Sequence, residues 1–167
     1  YWLHAEHLMV ESQKMSKSLG NFFTLRDLLA RGYKPDAIRY LLASVPYRKK
    51  LNFTFDGLKA APVAIERLRN YKLRLETAKF AEGESGAMAE AAVNARQGFD
   101  AALDDDLNTA EALGAVFEFV RDTNSAMDSG EFKSGNVPAA LEFLRHFDSI
   151  FDVLRPGLKD GSISDAD

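Results

Sequence analysis

Lys14-Met15-Ser16-Lys17-Ser18, followed at once by Leu19-Gly20-Asn21, holds the residue types and spacing best suited to chemistry. Two ammonium groups, two hydroxyls and a trailing glycine make a compact, flexible, cationic loop. Such a loop fits a polyphosphate whose negative charge grows during a reaction. Cations that reach the phosphates only at that point bind the transition state better than the ground state, and the barrier falls. Lysine suits the task because its charge is a point on a flexible stem. Ser16, Ser18 and Gly20 let the loop move, and the hydroxyls add donors. Lys17 is the first candidate for direct phosphate contact and Lys14 the second catalytic cation. Met15 reads as a packing anchor more than a chemical group. A lysine pair alone would be a solvated surface loop; the full eight-residue context argues for function.

Four weaker constellations follow. Tyr47-Arg48-Lys49-Lys50 sets three consecutive cations beside an aromatic ring and could grip an RNA backbone. The same run could equally be a solubilising turn between helices, and the residues alone leave both open. Arg67, Arg69, Lys72 and Arg74 read as the solvated face of a long helix. Asp104-Asp105-Asp106 could hold a divalent metal but reads better as a helix-end and cap cluster before Asn108-Thr109. His4 and His7 read as part of a strand or strand end, where side chains three apart face opposite ways, in preference to a metal pair. No Ser/His/Asp grouping, no Walker-type glycine loop and no zinc spacing is present, so no metal-ligating residue is assigned.

The elements that must position these groups follow from hydrophobic periodicity and caps. Residues 1–10 predict a short strand or two, and residues 11–23 a polar loop. Thr24 caps a helix with Asp27 three residues on, and Arg31-Gly32 ends it. Pro35 opens the next helix, whose apolar face is Ile38, Leu41, Leu42 and Val45, and Pro46 closes it. Residues 47–53 predict an exposed basic connector. Thr54 caps a long helix to about Ala81 with Leu58, Ala61, Ile65, Leu68 and Leu75 inward. Residues 82–87 are a linker by composition. Three further helices are expected: about Ala87 to Leu103; from Asn108-Thr109, with Leu113, Val116, Phe117 and Val120 inward; and about Val137 to Leu154, with Leu141, Leu144, Phe147, Ile150 and Phe151 inward. Pro156-Gly157 stops the last, and the tail is polar. The expected fold is mainly α: a small α/β remnant with the lysine loop, then a bundle of about four helices.

The bulk numbers agree with a soluble globular chain. The 167 residues are 46% hydrophobic and 28% charged, with no cysteine, so disulfides and thiolate metal sites are excluded. No secretory signal or membrane-length apolar run is visible, and a cytoplasmic location is expected. The start at Tyr1-Trp2-Leu3, without methionine, reads as a piece of a longer protein. Net charge is −4, but residues 1–82 carry 15 Lys and Arg against 8 Asp and Glu, or +7, and residues 83–167 carry −11. The basic half holds the lysine loop, which suggests a polyanion contact there.

K-M-S-K-S is the signature of class I aminoacyl-tRNA synthetases, and the chain resembles the bacterial cysteinyl-tRNA synthetase (cysteine–tRNA ligase) family. Three separated blocks carry the resemblance. The first is Tyr1-Trp2-Leu3-His4, Met9-Val10 and Lys14 through Asp27. The second is Ile38-Arg39-Tyr40, Tyr47-Arg48 and Leu51-Asn52-Phe53. The third is Asp104-Asp105-Asp106-Leu107-Asn108-Thr109, and the likeness extends to about Leu154. Pro46 stands where the family often has histidine, and Leu107 where it has phenylalanine.

The resemblance implies an ATP-binding set of Lys17, Met15, Ser16 and Ser18, with ATP used alongside magnesium. It implies tRNA(Cys) contacts from Arg48, Lys49 and Lys50. It also implies zinc for cysteine recognition in the full-length enzyme, with its ligands outside this chain. Residues 1–53 would be the end of the catalytic domain with a stem-contact fold, 54–156 a tRNA-binding helical bundle of the DALR type, and 157–167 a polar tail. The partners implied are tRNA(Cys), ATP and cysteine, with no membrane and a monomeric enzyme; this piece alone should not aminoacylate. The rival readings are a mycothiol-pathway cysteine ligase, which shares the loop but acts on a sugar amine, a noncatalytic RNA-binding module, and a purely structural helical bundle.

Overall fold

The computed structural model describes residues 2–155. Six α-helices and a three-stranded sheet appear among them: β1 (Met9–Val10), β2 (Gln13–Lys14), α1 (Leu25–Ala30), α2 (Pro35–Ala43), β3 (Asn52–Phe53), α3 (Phe55–Thr77), α4 (Gly86–Asp104), α5 (Thr109–Ser129) and α6 (Val137–Phe151), with a 3-10 turn at Ser134–Asn136. The sheet order is β2-β1-β3, with β1 antiparallel to β2 and parallel to β3. This is the mainly α fold with a small α/β part that the sequence led us to expect.

Local chemistry explains the helix starts. Thr24 accepts from the Asp27 amide while the Asp27 carboxylate accepts from the Thr24 amide, a reciprocal capping box. Gly32, at φ 83, turns the chain where a Cβ would be strained. Pro35 occupies the first turn of α2, where its missing amide costs nothing. Thr54 accepts from the Gly57 amide at the start of α3, and Asn108 from the Glu111 amide at the start of α5. Helix α3 is about 33 Å long and continues through Pro62, which removes the amide that would bond the Leu58 carbonyl.

Two apolar clusters share this long helix. Val10, Leu28, Ala37, Ile38 and Phe53 pack on Leu58 and Ala61 at its first turns. The larger core joins Ile65, Leu68, Tyr71 and Leu75 to α4, α5 and α6, with Phe99, Val116, Phe143 and Phe147 fully enclosed. Tyr40 packs against both clusters. The Arg39 guanidinium of α2 donates to the Phe151 and Ile150 carbonyls at the end of α6.

The structure corrects several expectations. Residues 2–8 form no regular strand, so His4 and His7 lie on exposed irregular backbone. Strand β2 runs into the expected loop, and β3 ends the expected connector, because both find partners on β1. Leu42 and Ile150 have the right helical period but are 46% and 44% exposed, while Phe119, Phe143 and Tyr71 take core places. Phe117 is only half-buried. Helix α3 stops at Thr77, short of Ala81, because the chain turns extended at Ala78 and Phe80 packs edge-on to Phe132. The linker at 82–87 is pinned: the buried Asn136 amide accepts from the Ser85 amide and donates to its carbonyl. The three aspartates do mark a helix end, at the C-terminus of α4 and the turn beyond it, but they do not cap α5, which Asn108 caps. The Pro156-Gly157 stop and the polar tail lie outside the described residues.

Tyr71 yields a pH prediction. Its ring is buried, its hydroxyl shares a 2.8 Å hydrogen bond with Thr123, and burial pushes its pKa up to about 12. Between pH 10 and 12 the unfolded chain sheds this proton while the folded chain keeps it, so stability falls as pH rises through that window. The expected loss is roughly 2–3 kcal/mol, absent in Tyr71→Phe. Urea midpoints at about pH 9 and about pH 11.5 check it; equal slopes in both proteins would contradict it.

Candidate functional site: the lysine loop and the basic connector

The lysine loop leaves a hairpin. Val10 pairs with Gln13 and Met9 with Lys14, so Glu11 and Ser12 form the two-residue turn between β1 and β2. Lys14 therefore stands on a strand, with its side chain exposed. Asn21 closes the base of the loop that follows. Its side-chain amide donates to the Lys14 carbonyl (3.1 Å), and its oxygen accepts from the Ser16 amide (2.8 Å). Met15 is half-buried against the smaller cluster and lines an apolar cavity of about 210 Å³ with Leu8, Val10, Phe23, Leu28 and Phe53.

The tip is held differently. Ser16 and Ser18 hydroxyls share a 2.8 Å hydrogen bond. The Gly20 amide donates to the Lys17 carbonyl (3.2 Å), and Gly20 sits at φ 66, where glycine carries no penalty. Lys17 Nζ lies 5.4 Å above the Phe22 ring. An exposed cation–π contact of this kind is worth about 0.5–1 kcal/mol, so it parks the ammonium without fixing it. Among the described residues, Lys14 and Lys17 have no ion-pair partner. The loop thus has a locked base, a packed Met15 and two exposed cations.

The basic connector is less uniform than its sequence. Lys49 and Lys50 are exposed. Arg48 is engaged: its Nε lies 2.5 Å from Asp106 Oδ2, and its Nη2 donates to Asp106 Oδ1 (3.2 Å). The Tyr47 hydroxyl donates to Asp106 Oδ1 (2.6 Å) and accepts from Arg48 Nε (2.8 Å). The Tyr47 hydroxyl, then the Asp106 charge, raise the Arg48 pKa further above its usual range. Asp106 and Leu107 both sit at φ 56, and this turn presents the carboxylate to the connector. Of the three aspartates, the third ties the connector to the bundle. Among the described residues no three or more His, Cys, Asp or Glu side chains converge to hold a metal ion.

The arginines on α3 separate into different tasks. Arg69 is partly buried against Asp36 and the carbonyls of Val153, Leu154 and Arg155, and is not a solvated charge. Arg74 pairs with Asp128 and Asn124. Arg67 lies over the Phe117 ring and lines an open groove with Asn70 and Arg74. Sequence reasoning missed the tasks of Asn21, Asn52 and Asp106. The Asn21 and Asn52 side chains bond to backbone that only the folded hairpin brings near, and Asp106 looks like its two neighbours in sequence.

Residues 1–62 match the model of the class I (C) tRNA synthetase catalytic domain, and residues 98–155 match the DALR domain. A cysteine–tRNA ligase of Solibacter usitatus is 70% identical over 167 residues, 100% of this chain and 36% of that protein. Those of Koribacter versatilis and Chlamydia caviae are 57% and 42% identical, each over 92% of this chain and 31% and 33% of theirs. A LeuRS chain from Agrobacterium radiobacter, solved as a ternary LeuRS–tRNA–LeuAMS complex, superposes with a TM-score of 0.65 over 87% of this chain and 20% of that one. At 21% identity that likeness shows the fold alone. The chain spans about a third of the length of the curated relatives it matches, and with this identity along its whole length it belongs to the cysteine–tRNA ligase family.

Proposed function

We propose that this chain supplies the mobile phosphate-binding lysines and part of the tRNA surface of a ligase that joins cysteine to tRNA(Cys). In the first step a cysteine carboxylate oxygen attacks the α-phosphorus of ATP, the bond to the β-phosphate bridge breaks, and pyrophosphate leaves. Negative charge gathers on the departing phosphates. Lys17 neutralises it from the loop tip, with Lys14 behind it and the Ser16 and Ser18 hydroxyls as donors. In the second step a ribose hydroxyl at the tRNA end attacks the aminoacyl carbonyl, and AMP leaves. Magnesium accompanies ATP, and zinc, where the full enzyme carries it, would hold the substrate thiolate. Tyr47, Arg48, Lys49 and Lys50 hold the tRNA backbone.

The observation that best supports this reading is the loop's construction. Asn21 and Met15 fix where the loop starts, while Lys17 rests only on Phe22 and stays free to move onto phosphate. A rigid cation would bind ground and transition states alike. The domain division remains part of the proposal: catalytic end at 1–53, tRNA-binding bundle at 54–156. So do the monomeric state and the cytoplasmic location; no helix among the described residues is long and apolar enough to cross a membrane.

The connector is tested by tRNA(Cys) binding to the full-length ligase across a salt series. Arg48→Ala is expected to weaken binding and lower the salt slope by about 0.7–0.9, the value of one lost phosphate contact. A tRNA phosphate competes here with Asp106 for the guanidinium, so Asp106→Asn is expected to tighten binding. An unchanged slope in Arg48→Ala would remove Arg48 from the RNA surface.

A further inference from the structure

The turn that launches the lysine loop is built from the wrong residues for its shape. A two-residue hairpin connection with both φ values positive favours Asn-Gly or a similar pair. Here Glu11 and Ser12 stand at φ 47 and 65, each with a Cβ. Such backbone persists only where its surroundings fix it. Those surroundings are specific. The Asn52 side chain accepts from the Ser12 amide (2.7 Å) and donates to the Ser12 hydroxyl (3.2 Å). The Glu11 amide donates to the Phe53 carbonyl (3.0 Å), and the Glu11 carboxylate accepts from the Phe55 amide (2.9 Å) at the first residue of α3. The turn is thereby fastened to β3 and to the start of the long helix.

We propose that Asn52 is a positioning residue for the lysine loop: by holding Ser12 in the left-handed turn it sets the hairpin register, and so the direction in which Lys14 and Lys17 are presented. The pairing of Met9 with Lys14 depends on this turn. A slip by one residue would send Lys14 to the opposite face. Asn52 acts through the loop, and nothing in its geometry asks it to touch phosphate. The Glu11 carboxylate on the first amide of α3 provides the second anchor, in the favourable field of a helix N-terminus.

This inference rests on the reading of Lys17 as a phosphate ligand, and its test separates the two. Cysteine-dependent ATP–pyrophosphate exchange is measured on the full-length ligase. Asn52→Ala is expected to lower kcat by about tenfold to a hundredfold, the scale of a misplaced catalytic group. KM for ATP and the Kd for tRNA(Cys) should hardly move. Adding Ser12→Gly to Asn52→Ala is expected to recover most of the loss, because glycine adopts the left-handed turn unaided. Asn52→Asp keeps an acceptor for the Ser12 amide and should stay closer to wild type than alanine, which guards against a variant that merely fails to fold. In a Lys17→Ala background, Asn52→Ala should cost little more, since groups that act as a unit are not additive.

An equal loss in both backgrounds would show a general structural role and overturn the proposal. So would near-wild-type exchange in Asn52→Ala when Lys17→Ala is impaired. Near-wild-type exchange in Lys17→Ala itself would overturn the reading of the loop and this proposal with it.

Discussion

Lys17→Ala in the full-length ligase is expected to lower kcat for cysteine-dependent ATP–pyrophosphate exchange by about 10²–10³-fold, the usual cost of removing one group that stabilises transition-state charge. The Kd for tRNA(Cys) is expected to stay near wild type, because Lys17 sits at the loop tip and the proposed RNA contacts stand on the connector at 48–50. The size follows from the site's construction. Lys17 is exposed and parked only on the Phe22 ring, so its removal leaves no buried partner unsatisfied and the fold intact. On the proposed reading Lys17 meets phosphate only as charge accumulates there, so the loss is expected in kcat. Lys17→Arg is expected to recover part of the rate, since the charge returns on a wider, planar group. Exchange near wild type in Lys17→Ala would contradict the assignment.

The largest expected loss of stability belongs to Arg69, which the sequence suggested was a solvated helix charge. Its guanidinium donates to Asp36 Oδ2 (2.6 Å) and to the carbonyls of Val153 (2.8 Å), Leu154 (3.3 Å) and Arg155 (2.6 Å). The side chains of Arg69 and Asp36 are 22% and 13% exposed, so little water is available to replace these bonds. One cation therefore ties α3 to the first turn of α2 and to the segment after α6. Arg69→Ala strands a largely buried carboxylate and three carbonyls and is expected to cost about 3–5 kcal/mol. Against an ordinary domain stability of about 5–15 kcal/mol, that is a large share. Urea denaturation of the 167-residue chain measures it as a lower midpoint at an unchanged slope. A loss below about 1 kcal/mol would return Arg69 to the class of surface charges.

What was legible in the sequence was local. Thr24 with Asp27, Pro35, Thr54 and Asn108 each start a helix where they were expected, because a cap acts within three residues of itself. The lysine loop was legible because its residues are contiguous. Contacts across the chain were not. Strand β3 is two residues long and exists only because β1 lies beside it, so no local period announces it. Leu42 and Ile150 have the spacing of core residues yet face solvent, while Tyr71, Phe119 and Phe143 take core positions. Periodicity finds a stripe but not which edge of it a neighbouring helix covers. Arg69 and Asp106 looked like ordinary charges until the fold brought Asp36 to one and Arg48 to the other.

In the proposed function the ligase containing this chain activates cysteine and transfers it to tRNA. The most direct test is aminoacylation by the full-length protein with ATP, cysteine and tRNA(Cys), alongside the same reaction with a sugar amine in place of tRNA. Cysteinyl-tRNA is expected, with AMP and pyrophosphate released, and no coupling to the amine. Cysteine joined to the sugar amine, with tRNA left uncharged, would contradict it.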